Sequence, residues 1–334
     1  MITFLFIVIN LIVYFWMVFS GAHFFAPTTG DILAWGGCSS GTILHGEPWR
    51  LVTAMFVHFG IFHLLMNLYA LYDLGKTLEL IIGKVRFLIV YLATGIFGGL
   101  VSQLWHLDSY IVEAGASGGV FGIIGALIAL LTTKVFPEEV RTPYLKRILS
   151  MVVLNLVYGM QGSVNMAAHM GGLISGFLLG YGLYLIMVHE NKNPERTRGT
   201  LLLIPLITLF SVSVTLKQMK SSDFFKFDEI VAEIDAKNFQ TPKDDTQALH
   251  FFRTVVIPEW ERRSLLIAGA QNLQLSGDKA KNRDYIEKWV DLSLRKVRTL
   301  DLKLSAMQRH EDDSIYDKMI QALDDQIAQL NEEK

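Results

Sequence analysis

The sequence predicts an all-α polytopic membrane protein carrying a charged, helical C-terminal region. Three observations predict it. The 334-residue chain is 51% hydrophobic with a mean hydropathy of +0.35, too apolar for an ordinary soluble protein. Its apolar residues come in blocks long enough to cross a bilayer. Its charges are segregated: 19 of the 30 Lys and Arg, and 22 of the 32 Asp and Glu, fall within 217–334. That balanced tail excludes a nucleic-acid-binding arm. A single cysteine, Cys38, excludes an internal disulfide and a cysteine-based metal cluster.

The elements follow in order. Residues 2–19, ITFLFIVINLIVYFWMVF, can span a bilayer. No Lys or Arg precedes them and no small-residue cleavage site follows, so they read as a retained helix and not a signal peptide. Residues 20–50 read as a long Gly-rich loop ending in Gly46-Glu47-Pro48-Trp49-Arg50. Further spans are expected at 51–74, 87–105, 117–131, 145–158, 167–188 and 201–216. Pro205 within the last is tolerated in a membrane helix.

Alternate connections are basic. Lys76, Lys84 and Arg86 lie between spans two and three. Lys134, Arg141, Lys146 and Arg147 lie between four and five, and Lys192, Arg196 and Arg198 between six and seven. The intervening loops carry only Arg50. The positive-inside rule then places the N-terminus and the basic loops in the cytoplasm. Seven spans put the tail outside, in a multi-pass protein expected in a bacterial cytoplasmic membrane. Without the weak seventh span, the tail would be cytoplasmic. The organisation is a core at 1–190, a linker and seventh helix at 191–216, and a soluble helical region at 217–334. In that region, helical spacing covers 228–237, 247–274 with a break at Pro258, 281–304 and 314–330. Ile315, Met319, Leu323, Ile327 and Leu330 form one apolar stripe.

Candidate chemistry centres on Glu113 to Ala126, EAGASGGVFGIIGA, with five glycines, three alanines and Ser117. Small residues allow close approach by a helix or a ligand. Ser117 reads either as a packing residue bonded to a carbonyl or as a nucleophile at a helix start. Three features fall at one depth: His63 and Asn67 four apart on span two, Ser117 on span four, and His169 on span six. Polar groups at membrane depth are costly and face the bundle interior. Gly172, Gly176 and Gly180 continue the His169 face, and Gly118, Gly122 and Gly125 continue the Ser117 face. Packing of these two stripes would deliver His169 beside Ser117. Histidine can serve the serine as base and then the leaving amine as acid. Donors to the oxyanion would be the Ser117 backbone N–H, the Asn67 amide and a His63 ring N–H. No Asp or Glu is placed to orient His169, which favours a dyad over a triad, with Glu113 assigned to the outer loop.

Together, Gly115-Ala116-Ser117-Gly118, Ala168-His169 with its glycine stripe, His63-x-x-x-Asn67, and Trp49-Arg50 in a long first loop resemble the rhomboid intramembrane serine proteases. The resemblance covers about 1–188. It implies a six-helix core with a water-filled cavity, to which the seventh helix is an addition found in some members. It implies Ser117 as nucleophile, His169 as general base, His63 and Asn67 as oxyanion donors, and Trp49-Arg50 as a loop anchor. It also implies a structural role for Glu79. Phe121 stands where some members have Tyr, under the histidine. His58 matches a second histidine of the family pattern and is read as structural, as are Gly115, Gly118 and Gly172. Transmembrane proteins are the implied substrates, and no cofactor is expected. A protein partner of the tail is left open.

Three rival readings remain. Zinc could be held by His58, His63 and His169, although no H-E-x-x-H occurs. A catalytically inactive relative could bind membrane clients without cutting them. A transporter would need ionisable residues at the midplane or internal repeats, and neither is evident.

Overall fold

The computed structural model describes residues 1–107, 111–158, 165–190, 194–235, 250–309 and 311–332. It divides into two units, Met1–Met219 and Lys220–Lys334. The described residues are mostly helical, and one antiparallel bridge, Cys38 to Glu113, is the sole strand-like pairing among them.

In the first unit, α1 (Ile2–Phe19) has its N-terminus held from another helix. Glu79 Oε1 accepts from the Ile2 N–H at 2.8 Å, and Oε2 accepts from the Thr3 N–H at 2.9 Å and the Thr3 hydroxyl at 2.7 Å. A carboxylate there satisfies N–H groups that lack partners within the helix and complements its dipole. The first loop contains two short helices, α2 (Thr29–Ala34) and α3 (Ser40–Leu44). Each starts with a reciprocal capping box, Thr28 with Asp31 and Ser39 with Thr42.

The expected continuous span 51–74 is broken. α4 (Arg50–Thr53) and the tight turn Ala54–Phe56 form one arm. α5 (Ile61–Ala70) runs through a wide turn at Leu71–Gly75 into α6 (Lys76–Ile82) as the other. The arms meet at 96°. Gly60 explains the break: its φ is +127°, and a Cβ there would lie 2.1 Å from Phe25 O. Glycine adopts that φ at little cost, so the first loop can close tightly on the bend.

Beyond it come α7 (Lys84–Trp105), α8 (Ser117–Leu131), α9 (Glu138–Tyr158), α10 (Met166–Glu190) and α11 (Pro194–Lys220). Among the described residues, α1, α7 and α10 are long and apolar enough to cross a membrane, and the bent pair counts as a fourth. α8, with 15 residues, is shorter. The expected fifth and seventh spans are helical within α9 and α11 but are not among these four. α9 opens with Glu138, Glu139 and Arg141 and continues through Lys146 and Arg147. Residues 159–164 and Lys192, invoked in the topology argument, lie outside the described residues.

α8 is the buried centre of this unit, with 13 of its 15 residues buried. Phe6, Phe87, Tyr91, Phe121, Ile123 and Leu127 belong to the core around it. α7 packs against it closely: Tyr91 lies on Gly119 and Thr94 on Gly122.

The second unit contains α12 (Asp223–Asp235), α13 (Ile257–Gly269), α14 (Gly277–Gln308) and α15 (Ser314–Glu332). Phe227, Ile234, Ile267, Ala270, Ile286 and Val290 form its core. The buried Lys279 ammonium pairs with Asp228 at 2.5 Å. The expected break at Pro258 is a wide helical turn, Phe252–Val256, that runs directly into α13 and accommodates the proline just after it. The α15 stripe is unevenly used: Leu330 is buried, while Ile315 and Met319 are 61% and 46% exposed. Residues 236–249, parts of two expected helices, lie outside the described residues.

Candidate active site

Ser117 is the first residue of α8, and Ala116 stands just before it. The backbone N–H groups of Ser117, Gly118 and Gly119 therefore open the helix without partners from a preceding turn. Gly115 enters with φ +123°, and its N–H donates to Ala54 O at 2.8 Å. Two histidines from the bent span flank this entry. His58 Nε2 accepts from the Ala116 N–H at 3.5 Å, and the His58 side chain is fully buried. His63 lies against Gly115 so closely that a Cβ there would meet its Cε1 at 2.6 Å. Its Nδ1 accepts from the Phe59 N–H at 3.4 Å, leaving Nε2 on the Gly115 side. Only glycine at 115 leaves room for that ring. Asn67 is buried one turn further along α5, where its amide donates to His63 O at 2.9 Å.

α10 meets α8 backbone to backbone. A methyl group at Gly172 would lie 2.1 Å from Gly118 O, and one at Gly176 would lie 2.1 Å from Gly122 O. At Gly180 it would lie 2.6 Å from Ala126 Cα. His169 falls one turn before this seam. Its ring stacks on Phe121 at 4.1 Å between centroids and 15° between planes. Phe121 shares a helix face with Ser117, one turn away. His169 is buried, and its Nδ1 has no hydrogen-bond partner among the described residues.

The first loop is anchored by Arg50 more than by Trp49. Arg50 Nη1 donates to Leu33 O at 2.6 Å and Gly37 O at 2.8 Å, and Nε pairs with Glu47. Trp49 is 57% exposed. Thus His58, His63, Gly115, Ser117, Gly118, Phe121, His169 and Gly172 are gathered at one end of α8. Asn67 lies one turn along α5, and Trp49 with Arg50 stays in the loop. Among the described residues, no three His, Cys, Asp or Glu are grouped to hold a metal ion.

Sequence reasoning missed two contributors, Gly98 and Asn165, and left Glu113 in the outer loop. Gly98 on α7 abuts both Ala168 O and Gly118 Cα; the Thr94, Gly95, Gly98, Gly99 pattern was its signal. Asn165 and Glu113 hydrogen-bond each other at 2.7 Å, and no local pattern marks that pair.

A family model described as the rhomboid domain matches residues 45–186. The rhomboid protein YdcA of Bacillus subtilis is 31% identical over 162 residues, which cover 47% of this chain and 80% of YdcA. This chain belongs to the rhomboid family. Rhomboid protease GluP of Bacillus subtilis is 36% identical over 186 residues, covering 55% of this chain and 35% of GluP. RHOMBOID-like protein 5 of Arabidopsis thaliana is 33% identical over 169 residues, covering 51% of this chain and 55% of the relative. The chain thus spans between a third and somewhat over half of the length of these last two relatives. The rhomboid match, with the apolar helices, makes the chain an integral membrane protein. It takes in every residue gathered at the head of α8, and the second unit lies outside it.

Proposed function

We propose that this rhomboid is an intramembrane serine endopeptidase, with a Ser117–His169 dyad, that cuts transmembrane proteins near the outer membrane face. The supporting observation is the α8–α10 glycine seam, beside which His169 stacks on Phe121 one turn from Ser117. In the first step His169 takes the Ser117 hydroxyl proton while Oγ attacks the scissile carbonyl carbon. The carbonyl electron pair moves onto oxygen. The Ser117 N–H at the helix start meets that oxyanion, with the Asn67 amide and the His63 ring as further donors. Collapse breaks the C–N bond, and the leaving amine takes the proton from His169. Water then attacks the Ser117 ester, its proton passes through His169 to Oγ, and the new carboxyl end departs. Stacking on Phe121, and not a carboxylate, holds the imidazole.

A substrate helix keeps its amides hydrogen-bonded internally and must unwind to be cut. Substrates with helix-weakening residues, and a small residue before the cut, are therefore preferred. The topology proposed with this reading has a cytoplasmic N-terminus and a tail on the outer face of a bacterial cytoplasmic membrane. Val212 and Leu216, near the end of α11, support it: they pack on Cys38, Ile43, Leu51 and Leu100, at the end of the core where Glu113 pairs with Cys38.

Fluorophosphonate labelling and cleavage of a model transmembrane substrate test the reading. Labelling is expected in wild type, absent in Ser117→Ala and strongly reduced in His169→Ala. Cleavage by Ser117→Ala at the wild-type rate would refute the nucleophile. A wild type that neither labels nor cuts would favour an inactive client-binding rhomboid. A reporter fused after Lys334 should read extracytoplasmic, and a cytoplasmic signal would remove α11 as a span.

A further inference from the structure

The segment leading to Ser117 and the helix bearing His169 are joined by one asparagine. Asn165 precedes α10, and its Oδ1 accepts from the Ala168 N–H at 3.1 Å, an N-cap. Its Nδ2 donates to Ser102 Oγ on α7 at 2.6 Å and to Glu113 Oε1 at 2.7 Å. Glu113 lies four residues before Ser117. Its backbone is fixed to Cys38 by bonds of 2.7 and 2.9 Å. His169 lies one turn after Asn165, and its N–H donates to Asn165 O at 3.3 Å. The hydrolytic steps proposed above use neither Glu113 nor Asn165.

A glycine seam sets how near two helices come, but it offers few side chains to oppose sliding along their axes. Something at the outer end must fix the register. Resting on the Ser117–His169 reading, we propose that Glu113 and Asn165 form a positioning clamp that holds the His169 turn of α10 in register with the Ser117 segment.

The clamp's chemistry is neutral acceptance. Glu113 faces Gly99 of α7 and shares Asn165 with Ser102, with Cys38 across the bridge, and makes no ion pair among the described residues. Arg50, the nearby cation felt by Cys38, is committed to the Leu33 and Gly37 carbonyls and to Glu47. Burial pushes the Glu113 carboxyl up to about 8, against the opposing pull of the hydrogen bond from Asn165. At neutral pH a glutamine is thus close to an isostere of the native group, and its carbonyl can accept from Asn165 in the same way.

The test uses the full chain in proteoliposomes, with kcat and KM measured on a model transmembrane substrate. Glu113→Ala should lower kcat by about 10- to 100-fold, the loss typical of small misplacements in catalytic geometry, with KM within about twofold. Glu113→Gln should stay within about threefold of wild type. Asn165→Ser keeps a capping oxygen but is too short to reach Ser102 or Glu113, so it should match Glu113→Ala without unfolding α10. The double variant should be no slower than the slower single one, because both remove one connection. Glu113→Ala at wild-type kcat, Glu113→Gln as slow as Glu113→Ala, or losses that multiply in the double variant would each overturn the clamp. In all of these cases wild type is active and Ser117→Ala is dead. An inert wild type or an active Ser117→Ala would instead remove the dyad on which the clamp rests.

Discussion

Gly172→Ala isolates the seam as a determinant of activity. Its added methyl would lie 2.1 Å from Gly118 O and 3.1 Å from Gly118 C. Ordinary contact begins at 3.4 Å, so the two backbones must part by about 1.3 Å. No flexible side-chain end can yield instead. Gly172 is one turn from His169, and Gly118 adjoins Ser117, so the displacement acts directly on the proposed dyad. A misplacement of about 1 Å costs about 100-fold in rate, and overpacking costs about 1–3 kcal/mol of stability. Gly182→Ala is the control: it lies on the same helix, and a Cβ there meets nothing within 4 Å. It gains helix propensity worth up to about 1 kcal/mol and should be neutral in rate. The assay compares cleavage and fluorophosphonate labelling in proteoliposomes, well below the unfolding temperature of each variant. If Gly172→Ala cleaves within threefold of Gly182→Ala, the separation of the two backbones does not govern the catalytic geometry.

Three further predictions bear on neighbouring contacts. Phe121→Ala removes the imidazole stack, worth about 0.5–1.5 kcal/mol, and should slow cleavage by about 2- to 13-fold; Phe121→Tyr, which keeps the ring, should stay near wild type. Arg50→Ala releases the bonds to the Leu33 and Gly37 carbonyls and should cost about 2–4 kcal/mol, read as a lowered unfolding temperature and faster proteolysis within 20–48. Arg50→Lys should recover little of it, because an ammonium cannot reproduce the fork. Glu113 predicts a pH dependence. Its folded value of about 8 lies above its ordinary 4.5, so between these values the native state binds more protons and stability falls as pH rises. Cys38, held far above its ordinary range by burial, then Glu113, stays neutral across this window. Thermal unfolding from pH 5 to 9 should therefore fall more steeply in wild type than in Glu113→Gln, and equal slopes would refute the assignment.

Hydropathy alone located α1, α7 and α10, because an uninterrupted apolar helix of that length is seldom anything but a membrane span. The proposed site was legible where its residues carry a pattern: Gly-Ala-Ser-Gly at a helix start, a glycine stripe after His169, and His63 four before Asn67. The break in the second span was not legible. It depends on Gly60 meeting Phe25, two residues that become neighbours only when the first loop closes. The helices within that loop were readable in principle from Thr28-x-x-Asp31 and Ser39-x-x-Thr42, but glycine content masked them. Glu113 was assigned to an outer loop because it precedes the Ser117 helix. Position in sequence cannot show that a carboxyl turns inward to meet Asn165.

The brevity of α8 has a consequence for where a client chain is severed. Fifteen residues rise about 22 Å, against about 30 Å of hydrocarbon. In the proposed topology, with its far end level with the inner headgroups beside Lys134, the helix would stop about 8 Å short of the opposite side. The Ser117 hydroxyl would then sit well down in the oily slab. A client that descends to it must surrender about five residues, or a turn and a half, of its own buried helix. Scission sites should accordingly cluster that far inside the upper boundary of the client's apolar stretch.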